Sequence, residues 1–207
     1  NLTKFQLIKC WKKKIKLSLI LIILVSFIQN AFSLEPNIFV QSTVNRASQI
    51  LSDDISKEQK IEKLKLIAKD TVDIRGVGFY SLGKYRKTLN NNQKKKYMDL
   101  FEKYFLKSFS SRLSEYSNPK INVNSQEKIN ENYTIVSSTL VATKKRPEVK
   151  IDWRIYTKNP EKPLIRDLII EGLSLARTQK EEFASILNSN DGNINALFAS
   201  LEKFINN

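Results

Sequence analysis

The sequence predicts an α+β fold: a single four-stranded antiparallel sheet with helices before and after it in the chain. Three observations predict it. Apolar residues recur at spacings of three and four as far as Tyr116, they alternate with polar residues between Lys120 and Ile170, and they return to helical spacing from there to the end. Helices first, a strand meander next and helices last is the pattern in which helices gather on one face of an antiparallel sheet, since parallel strands would need a helix between each pair.

The elements follow in order. Val40, Val44, Ala47 and Leu51 share one face of a helix from Pro36 to about Leu51, and Ser56 with Gln59 forms the capping box of a second, from about Lys57 to Lys69. Asp70 to Gly83 is broken by Gly76, Gly78 and Gly83 but still carries Val72, Ile74, Val77, Phe79, Tyr80 and Leu82. It is expected to form a short helix or turn packed on the core. The longest helix runs from Gln93 to Tyr116 with Tyr97, Phe101, Tyr104, Phe105, Phe109, Leu113 and Tyr116 on a wide apolar stripe, capped by Asn90 with Gln93 and followed by Pro119. Strands are expected at Lys120 to Lys128, Tyr133 to Thr143, Val149 to Thr157 and Leu164 to Ile170, the third showing the cleanest alternation. Gly172 ends the last of them. Thr178 with Glu181 should cap a helix through Leu187, and Asp191-Gly192 should turn the chain into a final helix carrying Ile194, Leu197, Phe198, Leu201 and Phe204.

Ahead of these elements, Lys4, Lys9, Lys12, Lys13, Lys14 and Lys16 precede an uncharged apolar run from Leu17 to Ile28. Its 12 residues fall short of the roughly 20 that span a bilayer, and Ala31-Phe32-Ser33 puts small residues where a signal peptidase reads. Residues 1–33 are therefore expected to be a cleaved secretory signal, leaving 34–207 as a single domain in an exported protein. Cys10 lies inside that leader, so no disulfide or thiol chemistry is expected beyond it. Residues 34–207 carry 29 basic and 21 acidic side chains, a net charge near +8. That sign favours approach to anionic membrane surfaces without naming a partner.

The chain contains no histidine. With Cys10 in the leader, the usual general base, the usual soft and imidazole metal ligands and every Ser-His or Cys-His nucleophile are missing from residues 34–207. Neither a metal nor a cofactor is expected. The best remaining catalytic pair is Asp167 with Glu171, four apart on one strand and facing one side, which could do acid and base work; tying down a turn is the plainer role for them. Gly76-Val77-Gly78 lacks the third glycine and the strand-to-helix setting of a phosphate cradle. Lys94-Lys95-Lys96 and Lys144-Lys145-Arg146 are basic runs, but the nearby aromatics sit on an apolar helix stripe and the chain is expected to be exported, so no nucleic-acid partner is expected. By periodicity alone, the aromatic helix and the strand facing it fit an ordinary core as well as a pocket.

Two blocks of residues add a resemblance. Asp73 in Val72-Asp73-Ile74, Leu82-Gly83-Lys84-Tyr85, Gln93, Phe101 and Tyr116 form the first; Asp167, Ile170-Glu171-Gly172-Leu173-Ser174, Arg177 and Phe183 form the second. Together they resemble the MlaC/toluene-tolerance pattern from about residue 36 to 204. Arg86 stands where that family commonly has an aromatic, and Pro163-Leu164 where a Trp-Lys pair often precedes the aspartate. The resemblance implies a strongly twisted, NTF2-like sheet enclosing an apolar cavity with the helices. It also implies a periplasmic, non-enzymatic phospholipid carrier exchanging lipid between an outer-membrane lipoprotein complex and an inner-membrane ABC transporter with a lipid-binding ring.

A carrier of that kind works by burial. Exposing the roughly 30 methylenes of a two-tailed lipid, at about 0.8 kcal/mol each, costs on the order of 20 kcal/mol, so free diffusion across an aqueous gap is negligible. The residues expected to face the acyl chains are Tyr97, Phe101, Phe105 and Phe109 on the long helix, Val149, Ile151, Trp153 and Ile155 on the third strand, and Leu168 and Ile170 on the fourth. Lys84 and Arg86 are the expected head-group contacts. The competing expectations are an exported NTF2-like enzyme using Asp167 and Glu171 on an apolar substrate, and a structural module with a filled core.

Overall fold

The computed structural model describes residues 33–207; the expected leader, apart from Ser33, lies outside them. Helix α1 (Pro36–Ser52) starts with Pro36, whose fixed φ suits a first turn, and buries Phe39, Val40, Val44 and Leu51. Helix α2 (Lys57–Thr71) carries the expected capping box: the Ser56 hydroxyl accepts from the Gln59 N–H, and the Gln59 side chain accepts from the Ser56 N–H. The glycine-broken stretch forms α3 (Ile74–Ser81), capped by Asp73, and then a 3₁₀ turn over Gly83–Lys87. Helix α4 (Asn91–Leu113) has the second expected capping box, Asn90 with Gln93, but ends a turn before Tyr116. Gly78 lets α3 and α4 approach closely. A Cβ there would lie 2.8 Å from Phe101 Cδ1, and the Gly78 carbonyl accepts the Tyr97 hydroxyl at 2.8 Å.

The sheet has five strands, not four. They are β1 (Ile121–Asn130), β2 (Tyr133–Leu140), β3 (Val149–Tyr156), β4 (Leu164–Ile170) and the two-residue β5 (Leu173–Ser174), hydrogen-bonded in sequence order and antiparallel throughout. β5 exists because Glu171 and Gly172, both at positive φ, turn the chain tightly enough for Leu173 and Ser174 to pair back on Ile170 and Ile169. This also moves the next helix start. Helix α5 (Leu175–Asn188) is capped by Ser174, not by Thr178. Ser174 Oγ accepts from the Arg177 N–H and the buried Asp167 carboxylate accepts from the Ala176 N–H, so the first turn is satisfied four residues earlier than expected. Thr178 sits inside that turn, its hydroxyl donating to the Ser174 carbonyl at 3.0 Å. Helix α6 (Ile194–Asn206) follows the Asp191-Gly192 turn and buries Ile194, Leu197, Phe198 and Leu201.

Residues Leu34–Asn207 form one compact unit. Its core joins the inward faces of α1 to α6 to one face of the sheet, with Val40, Ala68, Tyr97, Val136, Ile155, Leu187 and Leu197 wholly buried. α3 is tied to the sheet by a parallel bridge between Val72 and Ile165. Beside it, Asp73 caps α3 through one carboxylate oxygen and pairs with Arg166 Nε through the other.

Candidate functional site

A cavity of about 460 Å³ lies between the helices and the sheet, within the ~300–1,000 Å³ range of small-molecule sites. Three groups of residues form most of its apolar wall, and α5 adds Leu175, Ala176, Thr178, Gln179 and Glu182. Phe101, Phe105 and Phe109 run along α4 one helical turn apart and stack on one another, with ring centroids 6.1 Å and 5.7 Å apart. Ile151 and Trp153 of β3 with Leu168 and Ile170 of β4 make the sheet side. Val44 and Leu51 of α1 with Leu64 and Ile67 of α2 close a third side.

The wall offers little that needs a hydrogen bond. Trp153 Nε1 donates to Ser138 Oγ at 2.7 Å, and that hydroxyl donates to the Ile151 carbonyl at 3.0 Å. Among the described residues, no buried side-chain nitrogen or oxygen is without a partner. Such a surface gains from an occupant chiefly by covering carbon. The polar wall residues include Arg112, Gln179 and Glu182. Tyr104 donates its hydroxyl to Gln179 Oε1 at 2.8 Å, and Gln179 Nε2 donates to Glu182 at 3.0 Å. Burial first, and then the Glu182 carboxylate, push the Tyr104 phenol above its ordinary pKa.

Seven of the ten residues expected to face acyl chains stand on this wall: Phe101, Phe105, Phe109, Ile151, Trp153, Leu168 and Ile170. Three do not. Tyr97 is wholly buried one turn before Phe101, nearer the start of α4, edge-on to Phe183 with its hydroxyl on Gly78, and burial pushes its phenol far up. Ile155 is sealed in the core opposite Ile165. Val149, at the start of β3, packs on the core beside Leu140 without reaching the wall. Strand alternation identifies a face; where a cavity begins and ends along that face depends on the helices above it.

The expected head-group contacts are also elsewhere. Lys84 and Arg86 lie on the 3₁₀ turn, off the cavity wall, with Lys84 Nζ over the ring of Tyr85, whose hydroxyl donates to Asn188. The carboxylate pair is split. Asp167 lines the cavity but accepts from the Ser174 hydroxyl and the Ala176 N–H, while Glu171 has left the strand for the β4–β5 turn and accepts from the Lys150 N–H. Sequence reasoning missed the wall from α1 and α2. Their apolar spacing is visible, but spacing alone does not say which layer a helix faces.

The chain matches the family model described as MlaC protein over residues 41–203. Among solved structures it resembles the phospholipid-binding protein from Ralstonia solanacearum, determined in complex with a phospholipid. The TM-score is 0.71 over 83% of this chain and 97% of that one, at 17% identity, so the likeness is one of fold. No curated protein matches the chain.

Proposed function

Because this chain belongs to the MlaC family, we propose that it is a phospholipid carrier that holds acyl chains in the cavity beneath α4 while its head group stays near water. The observation that carries this reading is the cavity: about 460 Å³, walled by stacked phenylalanines and sheet aliphatics, with every buried side-chain nitrogen and oxygen among the described residues already paired. Covering such a wall with methylene groups gains about 25 cal/mol for each Å² of apolar surface removed from water, which opposes the large cost of exposing the chains. The match in fold to a protein solved with a phospholipid bound supports the same ligand class.

The work is burial and release rather than reaction. Asp167 and Glu171, the best acid and base candidates in the sequence, are each engaged in holding a turn or a helix start. The basic, apolar leader of residues 1–33 supports export, and a periplasmic setting for the carrier is in keeping with it. There it would exchange lipid with an outer-membrane lipoprotein complex and an inner-membrane ABC transporter bearing a lipid-binding ring, as the family resemblance implies.

A transfer assay tests the carrier. Donor vesicles holding a quenched fluorescent phospholipid are mixed with acceptor vesicles and purified protein. The expected result is transfer at a rate proportional to protein concentration; a rate equal to that without protein contradicts the reading.

A further inference from the structure

Among the described residues, four charged side chains stand on the cavity wall: Arg112, Arg166, Asp167 and Glu182. Three are committed within the protein. Arg166 pairs with Asp73 and donates to the Tyr133 hydroxyl, Asp167 holds the start of α5, and Glu182 accepts from Gln179. Arg112, exposed in the last turn of α4, has no carboxylate within salt-bridge reach and no side-chain hydrogen bond among the described residues. One helical turn beyond it, Tyr116 also lines the cavity, and the guanidinium of Arg146 lies 4.4 Å from the centre of that ring. Arg146 is held there from both sides. Its backbone closes the Thr143–Arg146 turn, accepting from the Thr143 N–H at 2.8 Å and donating to the Thr143 carbonyl at 3.3 Å. It likewise lacks a carboxylate partner among the described residues.

Resting on the carrier reading and deepening it, we propose that Arg112 and Arg146 form the phosphate-binding site for the lipid head group, at the end of the cavity where α4 finishes. A phosphodiester anchored to chains inside the cavity would meet two planar guanidinium forks, the side chain best matched to phosphate oxygens. Beside a largely apolar wall that attraction is less screened than in open water. Tyr116 serves as the platform that orients one of the two forks. The site explains why one cation on the wall has no internal partner: the ligand supplies the anion.

The test uses the full chain, stripped of lipid, with phosphatidylglycerol and with diacylglycerol carrying the same acyl chains. The expected result is that the native protein takes the phospholipid on the order of tenfold more tightly than the diacylglycerol, the scale for two charge-assisted contacts at a solvent-facing mouth. In the double variant Arg112→Gln with Arg146→Gln that preference disappears, diacylglycerol uptake is unchanged, and Arg112→Lys restores part of it. Native protein that does not distinguish the two lipids, or a double variant that still does, overturns the assignment while leaving the carrier intact. Inorganic phosphate alone, titrated by calorimetry, should not bind; binding as tight as the phospholipid's would mean a free-anion site and also overturn it. If neither lipid binds native protein, the carrier reading fails and the head-group site fails with it.

Discussion

Replacing Phe109 by Asp separates a cavity wall from an ordinary core. Phe109 is half-buried, stacked on Phe105 at 5.7 Å and open to the cavity, so in the empty protein the new carboxylate can stay hydrated and the fold should survive with a loss of about 1–2 kcal/mol. Binding acyl chains against it changes the balance. The lost contact with the phenyl ring costs about 1 kcal/mol, half the value for a fully buried side chain. The carboxylate must then be dehydrated or protonated, and protonation is the cheaper route. From an ordinary pKa of about 3.9, protonation at about pH 7 costs roughly 4 kcal/mol. The sum, about 5 kcal/mol, weakens phospholipid binding by more than a thousandfold. Because the cost is one of protonation, it falls by about 1.4 kcal/mol per pH unit, so roughly a hundredfold of affinity should return between about pH 7 and pH 5. Phe109→Asn should lose affinity without that recovery. The assay is equilibrium titration with a fluorescent phospholipid at both pH values, with circular dichroism to show that the fold is retained. Unchanged affinity at pH 7 in folded protein, or the same pH profile for Asp and Asn, would refute the placement of acyl chains against α4.

Three further outcomes concern the scaffold. Asp167→Asn leaves the Ala176 N–H and the Ser174 hydroxyl poorly matched in a buried site and should lower stability by about 2 kcal/mol, read as a lower urea midpoint; an unchanged midpoint would mean that α5 is fixed by packing alone. Gly78→Ala should destabilise by about 1–3 kcal/mol because its Cβ would lie 2.8 Å from Phe101, against the gain of about 1 kcal/mol that alanine normally brings to a helix, so stabilisation would contradict the close approach of α3 and α4. Tyr97 and Tyr104 should ionise after the other tyrosines in an absorbance titration, since burial raises both phenols; because the unfolded chain releases those protons nearer pH 10, their contribution to stability is complete below about pH 10 and falls as pH rises above it.

Local signals in the sequence carried the elements. The Ser56/Gln59 and Asn90/Gln93 boxes sit at the expected helix starts, and the alternation of Val149, Ile151, Trp153 and Ile155 marks β3. The misplaced start of α5 came from a long-range bond: Thr178 with Glu181 reads locally as a cap, but Asp167, nine residues before Ala176, satisfies the first turn earlier. The fifth strand was hidden for a similar reason, since two residues show no period and their pairing depends on positive φ at Glu171 and Gly172. At the site, one face of α4 and of the strands was legible from period alone. The ends of the cavity were not, which is why Tyr97, Val149 and Ile155 lie off its wall while the α1 and α2 side was overlooked. Lys84 and Arg86, expected as head-group contacts, sit on a turn that in space packs beside α5 and off the cavity wall.

Native mass spectrometry of the chain, purified after export without detergent, tests the central claim most directly. A bound mass equal to one phospholipid on most molecules, released by organic solvent and absent from the Phe109→Asp variant at neutral pH, is the predicted result. Folded protein that carries no added mass, and gains none when offered phospholipid, would contradict it.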